Sequence, residues 1–194
     1  MNNDLGISNH DTEKEGDKLQ RTFFVADSHF GHTNVIGYEN RPFESSEQMN
    51  AEMIKRWNNT VSKDDKVFVL GDFAFMPSEE TKETVNKLNG YKILVLGNHD
   101  RHRSVSWWLK AGFNEVSAYP IILDEFFILS HEPMYINENM PYANIFGHVH
   151  GNPLYTDFSS QSFCVSVERI NYTPIEFDEI KRRMGISNSE DLSE

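Results

Sequence analysis

The sequence predicts one α/β domain, and three observations carry that prediction. Apolar runs of about five residues, rich in β-branched and aromatic side chains, recur along the chain and read as buried strands. Segments of helical periodicity separate the first three of them. The runs also stop abruptly at a glycine or a polar cluster, the place just past a strand's carboxyl end where open α/β sheets hold their ligands. A chain of 194 residues suits a single domain with a substantial core.

Taken in order, residues 1–20 are polar and acidic, too poor in apolar surface to offset their ordering entropy, and are expected to be a flexible tail. They carry no signal- or transit-peptide pattern, and His10 there is incidental. Residues 22–26 (TFFVA) form the first strand, running into Asp27-Ser28-His29-Phe30-Gly31-His32. In extended backbone, Asp27 and His29 would point to the same side. Asn40-Arg41-Pro42-Phe43 is a turn, and Ser45 and Gln48 have capping-box spacing at a helix start. Met49, Met53, Ile54, Trp57 and Val61 then fall on one helical face as core residues.

Residues 66–70 (KVFVL) form the second strand, followed by Gly71-Asp72, and a helix spans about 78–88. Residues 92–96 (KILVL) form the third strand, which breaks into Gly97-Asn98-His99-Asp100. Trp107 and Trp108 lie on a short helix over the core, and residues 115–130 read as two strands, the second ending at Ser130-His131. Residues 134–142 form a polar-aromatic loop expected to rim a pocket, with Tyr135 and Asn152 as further rim candidates. Residues 144–146 make a short strand before Gly147-His148-Val149-His150-Gly151. Here His-x-His in extended backbone would turn both imidazoles to one side, and the glycines would admit close approach. A strand over 163–167, a closing helix over 174–184 and an acidic tail over 185–194 complete the chain, whose folded domain is bounded at 21–184.

Composition narrows the function. No window approaches the length of apolar chain a membrane span needs. The single cysteine, Cys164, cannot form an internal disulfide and sits in an apolar run, so it reads as a buried structural thiol in a reducing, cytoplasmic protein. A formal charge of −12 argues against a broad surface for extended nucleic acid. Of eight histidines, His29, His32, His99, His131, His148 and His150 lie in or beside the polar clusters.

Five strand ends thus carry metal-competent groups: Asp27 and His29, Asp72, Asn98 and His99, His131, and His148 and His150. Carboxylate, imidazole and amide oxygen without thiolate suit Mn, Fe, Zn, Ni or Co at a catalytic site. Seven or more ligands exceed what one tetrahedral ion uses, so two ions sharing an aspartate fit better.

In order and spacing, Asp27-x-His29, Gly71-Asp72, Gly97-Asn98-His99-Asp100, His131 and Gly147-His148-x-His150 resemble the signature blocks of the calcineurin-like metallophosphoesterases. Phe30-Gly31-His32-x-Asn34, Asn40-Arg41-Pro42-Phe43 and Asn171-Tyr172-Thr173-Pro174-Ile175 resemble a subgroup of small bacterial and phage phosphoesterases. The resemblance covers about residues 22–183. It implies a four-layer αββα sandwich, two mixed sheets flanked by helices. It also implies that Asp27, His29 and His150 hold one divalent metal and Asn98, His131 and His148 the other, with Asp72 bridging and Mn the expected ion. His99 would then be no ligand but the proton donor to the leaving group.

The reaction expected from this resemblance is hydrolysis of a small phosphoester, a diester or a monoester, with metal-activated water as nucleophile. Two dications and two aspartates leave a centre of about +2, which draws a small anion into a chain that repels a long polyanion. His32, Arg41 and Arg101 are candidate substrate contacts, although Arg41 could equally pair with a carboxylate. Asp100 reads as a brace for the turn. A non-catalytic scaffold of the same fold and a single-metal binding protein are the competing readings; the intact ligand set disfavours the first, and metal stoichiometry discriminates the second.

Overall fold

A computed structural model of the chain describes residues 19–186. Among these residues, ten strands form two five-stranded mixed sheets accompanied by five α-helices, a mixed α/β architecture of the α+β kind. In the first sheet, β1 (Thr22–Val25), β2 (Lys66–Leu70), β3 (Tyr91–Val95) and β4 (Glu115–Ser117) run parallel, with β10 (Ile175–Glu176) antiparallel on β1. Phe24 stands opposite Phe68 and Phe68 opposite Ile93, so the carboxyl ends of these strands align. In the second sheet, β6 (Phe127–Leu129), β7 (Ala143–Phe146) and β9 (Ser162–Cys164) are parallel, with β5 (Ile121–Leu123) and β8 (Phe158–Ser159) antiparallel at the edges. Strands such as β2 and β3 are buried along almost their whole length, which is why they read as continuous apolar runs rather than alternating ones.

The sheets meet where the backbone of Ala26, just beyond β1, exchanges hydrogen bonds with Val165 and Val167. Phe177 at the start of α5 (Phe177–Met184) packs on Phe24 of one sheet and Phe127 of the other, with ring centroids 5.3 and 4.9 Å apart. One contiguous apolar core includes residues of both sheets.

The helix α2 (Ser46–Thr60) begins where the capping signal lies: Ser45 Oγ accepts the Gln48 N–H at 3.2 Å. The reciprocal arm differs from the expected box, because Gln48 Oε1 accepts from Glu44 N–H, one residue earlier than Ser45. Met49, Met53 and Trp57 are buried along one stripe and Ile54 is half-buried at its edge. Truncating Trp57 to alanine would cost about 3–5 kcal/mol. The remaining helices are α1 (Thr33–Tyr38), α3 (Ser78–Lys87) and α4 (Val105–Ala111), the last placing Trp108 in the core and Trp107 at its margin.

Three expectations are corrected. Residues 115–130 contain three short strands, not two, because the chain leaves the first sheet after β4 and enters the second at β5. The strand expected over 163–167 ends at Cys164, and Val167–Arg169 close into a single helical turn. The closing helix begins at Phe177, since Ile175 and Glu176 are taken up as β10. Except for residues 19–20 and 185–186, the two expected tails lie outside the described residues. Cys164 is buried, as its setting implied. No described helix is long and apolar enough to cross a membrane.

Candidate metal centre

The five strand ends converge. Leaving β1, β2, β3, β6 and β7, the chain carries Asp27 and His29, Asp72, Asn98 and His99, His131, and His148 and His150 to one place. The backbone there is not extended, as the sequence reading assumed. Asp27, His29, Asp72, His148 and His150 have φ of 57°, 50°, 54°, 70° and 48°, in the left-handed region that costs a non-glycine residue about 1–3 kcal/mol. The turn, not the alternation of a strand, aims the side chains. Backbone bonds hold it: Asp27 N–H donates to Gly71 C=O and His29 N–H to Asp72 C=O, each at 3.0 Å. Two glycines are required by close approach. A Cβ on Gly97 would run into the Asp72 carboxylate, and one on Gly147 into the Ala26 side chain.

Among the described residues three sets of ligand atoms lie close enough together to share an ion, and two of them belong to the converging strand ends: Asp27, His29 and His150, and Asp72, His131 and His148; the third, Glu39, His150 and Glu168, lies behind His150. In the first set, Asp27 Oδ2 is occupied by the Ser166 hydroxyl at 2.6 Å and the His148 N–H at 2.8 Å. Asp27 Oδ1 and His29 Nε2 are buried and have no hydrogen-bond partner. His150 Nδ1 lies 3.1 Å from Glu168 Oε1, which turns Nε2 toward Asp27 Oδ1 at 4.0 Å. In the second set, His131 Nδ1 lies 2.9 Å from the Leu70 carbonyl and donates to it, directing Nε2 into the site. That Nε2 lies 2.9 Å from Asn98 Oδ1 and 3.4 Å from Asp72 Oδ2, and His148 Nδ1 is 3.1 Å from Asn98 Oδ1. With His131 neutral, acceptor atoms would face acceptor atoms here, so the place asks for a cation, either a proton on His131 Nε2 or a metal ion.

The protonation equilibria agree. Burial pulls the His131 pKa down, but hydrogen bonding to Asp72 and the charges of Asp27 and Asp72 outweigh it and push it up to about 9, so a proton takes up the negative field. Burial holds His29 down at about 2, neutral as a ligand must be. Burial pushes Asp27 up to about 6 despite His150 and His131. Asp72, where burial is outweighed by His131 and His29, falls to about 2.

Asp72 lies between the sets. Its Oδ1 accepts the His99 N–H at 3.0 Å, while Oδ2 faces His29 Nε2 at 3.6 Å and His131 Nε2 at 3.4 Å. Asp72 Oδ2 is thus the carboxylate oxygen that stands near a histidine of each set. The donor set fits two divalent ions, and unpartnered Asp27 Oδ1 and His29 Nε2 are what such ions would satisfy. His99 is half exposed, with Nε2 3.9 Å from Asp72 Oδ2, at the mouth rather than inside either set.

Behind these residues lies a layer that the sequence reading only partly found. Asp100 is fully buried and accepts N–H bonds from Asp72 (2.7 Å), Gly97 (2.9 Å) and Phe73 (3.1 Å), tying the ends of β2 and β3 together. Arg41 is corrected. Its guanidinium is buried and donates to Glu168 Oε1, to the Asp27 carbonyl at 2.8 Å and to the Ser28 carbonyl at 2.9 Å, leaving nothing to offer a substrate. Glu168 and Ser166 were missed. Neither sits in a polar cluster, and 139 residues of chain separate Ser166 from Asp27.

At the periphery, His32 stacks on Phe75 with centroids 4.5 Å apart and lies 5.4 Å from the His29 ring, beside the site. Arg101 is exposed and pairs with Glu132 at 3.2 Å. Tyr135 is almost wholly exposed, and Asn152 uses its carbonyl on Arg169. The cavity at the site is walled not by the expected 134–142 loop but by residues 74–77 together with Asn98, His99 and His102. Phe75 is the member of that wall that its sequence setting concealed.

Fold and site together define a mixed α/β protein with a candidate two-ion centre at the ends of its parallel strands. The chain is 35% identical over 167 residues to the uncharacterized protein MJ1445 of Methanocaldococcus jannaschii, an alignment covering 82% of this chain and 89% of that one, and it belongs to that protein's family. It is also 35% identical over 88 residues to the gene 66 protein of Mycobacterium phage L5, across 42% of this chain and 41% of the phage protein. Among solved structures it is similar to the protein of unknown function AQ665 from Aquifex aeolicus, with a TM-score of 0.66 and 26% identity over 84% of this chain and 99% of that one. No protein-family profile matches the chain.

Proposed function

We propose that the protein is a two-metal phosphoesterase of the calcineurin-like kind, its two sheets forming the central layers of an αββα sandwich, that hydrolyses a small phosphoester. The observation that carries this reading is the cluster of inward-facing ligand atoms: Asp27 Oδ1 and His29 Nε2 without partners, and Asn98 Oδ1, His131 Nε2 and Asp72 Oδ2 gathered about one point. Asp27, His29 and His150 would hold one ion, and Asn98, His131 and His148 the other, with Asp72 shared. Two divalent ions there, Mn or another of Fe, Zn, Ni and Co, would supply an activated water and neutralise phosphate charge.

The chain's own groups do the rest. Glu168 and the Leu70 carbonyl fix which nitrogen of His150 and His131 faces the site. Asp72 Oδ1 holds the His99 backbone, setting that imidazole at the mouth where it can deliver a proton to the leaving oxygen. His32 and Arg101 stand beside the opening, where an anionic substrate would pass them. Elemental analysis of purified protein should find close to two transition metals per chain. Chelation should abolish hydrolysis of bis-p-nitrophenyl phosphate, and added Mn²⁺ should restore it. Activity that survives chelation would overturn the proposal.

A further inference from the structure

One feature of the mouth is larger than a phosphate needs. A cavity of about 560 Å³ opens between the loops that follow β2 and β3, lined by Ala74, Phe75, Met76, Pro77, Asn98, His99 and His102. A phosphoryl group bound among the ligands would occupy none of that apolar wall. Phe75 is 43% exposed although it is large and apolar. It is also held in place. Its ring stacks on His32 at 19°, lies 5.8 Å from His29, and meets His99 edge-on at 4.8 Å. The backbone beneath it is fixed, since Phe75 N–H donates to Phe30 C=O at 2.8 Å. An exposed aromatic braced by three imidazoles is a preformed stacking surface, because little side-chain entropy remains to be lost when a ring lands on it.

The position of His99 says which part of a substrate would sit there. His99 is in the wall of this cavity, and under the function proposed above it protonates the leaving oxygen. The group attached to that oxygen must then extend past His99 into the cavity. We infer that this cavity is a leaving-group subsite, that it takes an alcohol carrying a planar aromatic ring, such as a benzylic alcohol or a nucleoside, and that Phe75 determines the preference. The hydrolytic step itself needs only water: the P–O bond to the leaving oxygen breaks, a P–O bond to water oxygen forms, and the proton ends on the released alcohol.

The test compares benzyl and ethyl phosphoesters, as monoesters and as diesters, on the metal-loaded full chain, the two alcohols being close in basicity. A nucleoside 5′-phosphate in the same panel separates the two aromatic sources. The benzyl ester should exceed the ethyl ester in kcat/KM by about tenfold, a factor within the range of one aromatic contact. Phe75→Ala should shrink that ratio to about twofold, and Phe75→Trp should restore it. A ratio near one in the unaltered protein, or a ratio that Phe75→Ala leaves alone, overturns the inference. A second readout does not use turnover: saturation-transfer NMR should show benzyl alcohol and adenosine contacting the chain, and Phe75→Ala should abolish it. If no ester is hydrolysed but the alcohols bind through Phe75, the phosphoesterase reading fails and the aromatic subsite stands. If the esters are hydrolysed without aromatic preference and neither alcohol binds, the reverse holds.

Discussion

Replacing Arg41 with alanine tests the division of labour around the site. Its guanidinium has no exposed surface and is bonded to Glu168 Oε1 and to the Asp27 and Ser28 carbonyls. The substitution removes the permanently charged partner of a buried ion pair, a loss of about 3–5 kcal/mol, because Glu168 is left with only the His150 imidazole beside it. It also orphans two carbonyls, although water entering the space vacated by the side chain recovers part of that. A net loss of about 4 kcal/mol follows. In a domain of this size each kcal/mol moves Tm by about 2–4 °C, so the midpoint of metal-free protein should fall by about 8–16 °C in scanning calorimetry. Arg41→Lys keeps the charge but loses the fork that reaches both carbonyls, and should fall about halfway. Since the lost bonds hold the backbone of Asp27 and Ser28, metal affinity should drop as well, by about 10–100-fold. A variant that melts within 2 °C of the parent and only raises KM would refute the reasoning and return Arg41 to the substrate.

His99→Ala should retain both metals by elemental analysis yet lose about 10²–10⁴-fold in turnover, and loss of metal instead would make His99 a ligand. Gly97→Ala, whose methyl would run into Asp72, should lower metal content and Tm together; an unchanged metal content would show that the two loops can part. Asp65 supplies a pH test away from the site. Burial pushes its pKa up, but N–H bonds from Ser62 and Arg21 and the Arg21 guanidinium outweigh it and hold it at about 2. A depressed carboxylate contributes stability that is present above its unfolded pKa and lost as pH falls toward 2. Urea titrations should therefore find Asp65→Asn less stable by about 1–3 kcal/mol at pH 7, with the gap closing between pH 4 and 2.

The proposed ligand residues were legible because each sits at a break in an apolar run, where a change of chemistry stands out. KILVL running into Gly97-Asn98-His99-Asp100 is such a break, and β3 with its turn lies within a residue of the position read from it. What the sequence concealed was of two kinds. The left-handed turns at Asp27, His29, His148 and His150 leave no mark in composition, since aspartate and histidine are also ordinary in loops. Residues that act at a distance in chain were hidden as well: Glu168 reaches His150 and Arg41 from a single helical turn, and nothing local distinguishes it. Arg41 was left between a phosphate and a carboxylate, because its local sequence favours neither and only the fold brings Glu168 to it. The short strands β4, β5 and β10 were blurred for a simpler reason, being too brief for alternation to register.

Each proposed ion would draw ligands from both sheets. Asp27 and His29 follow β1 while His150 follows β7; Asp72 and Asn98 follow β2 and β3 while His131 and His148 follow β6 and β7. In mechanical terms, such ions would be rivets through two plates. Shear between the sheets and release of metal would then be one coordinate, so a core substitution far from the site that shifts one sheet against the other would act as a change in metal affinity. Binding in turn would clamp the plates with a strength of RT ln(1 + [M]/Kd), which would make resistance to unfolding a gauge of free metal concentration.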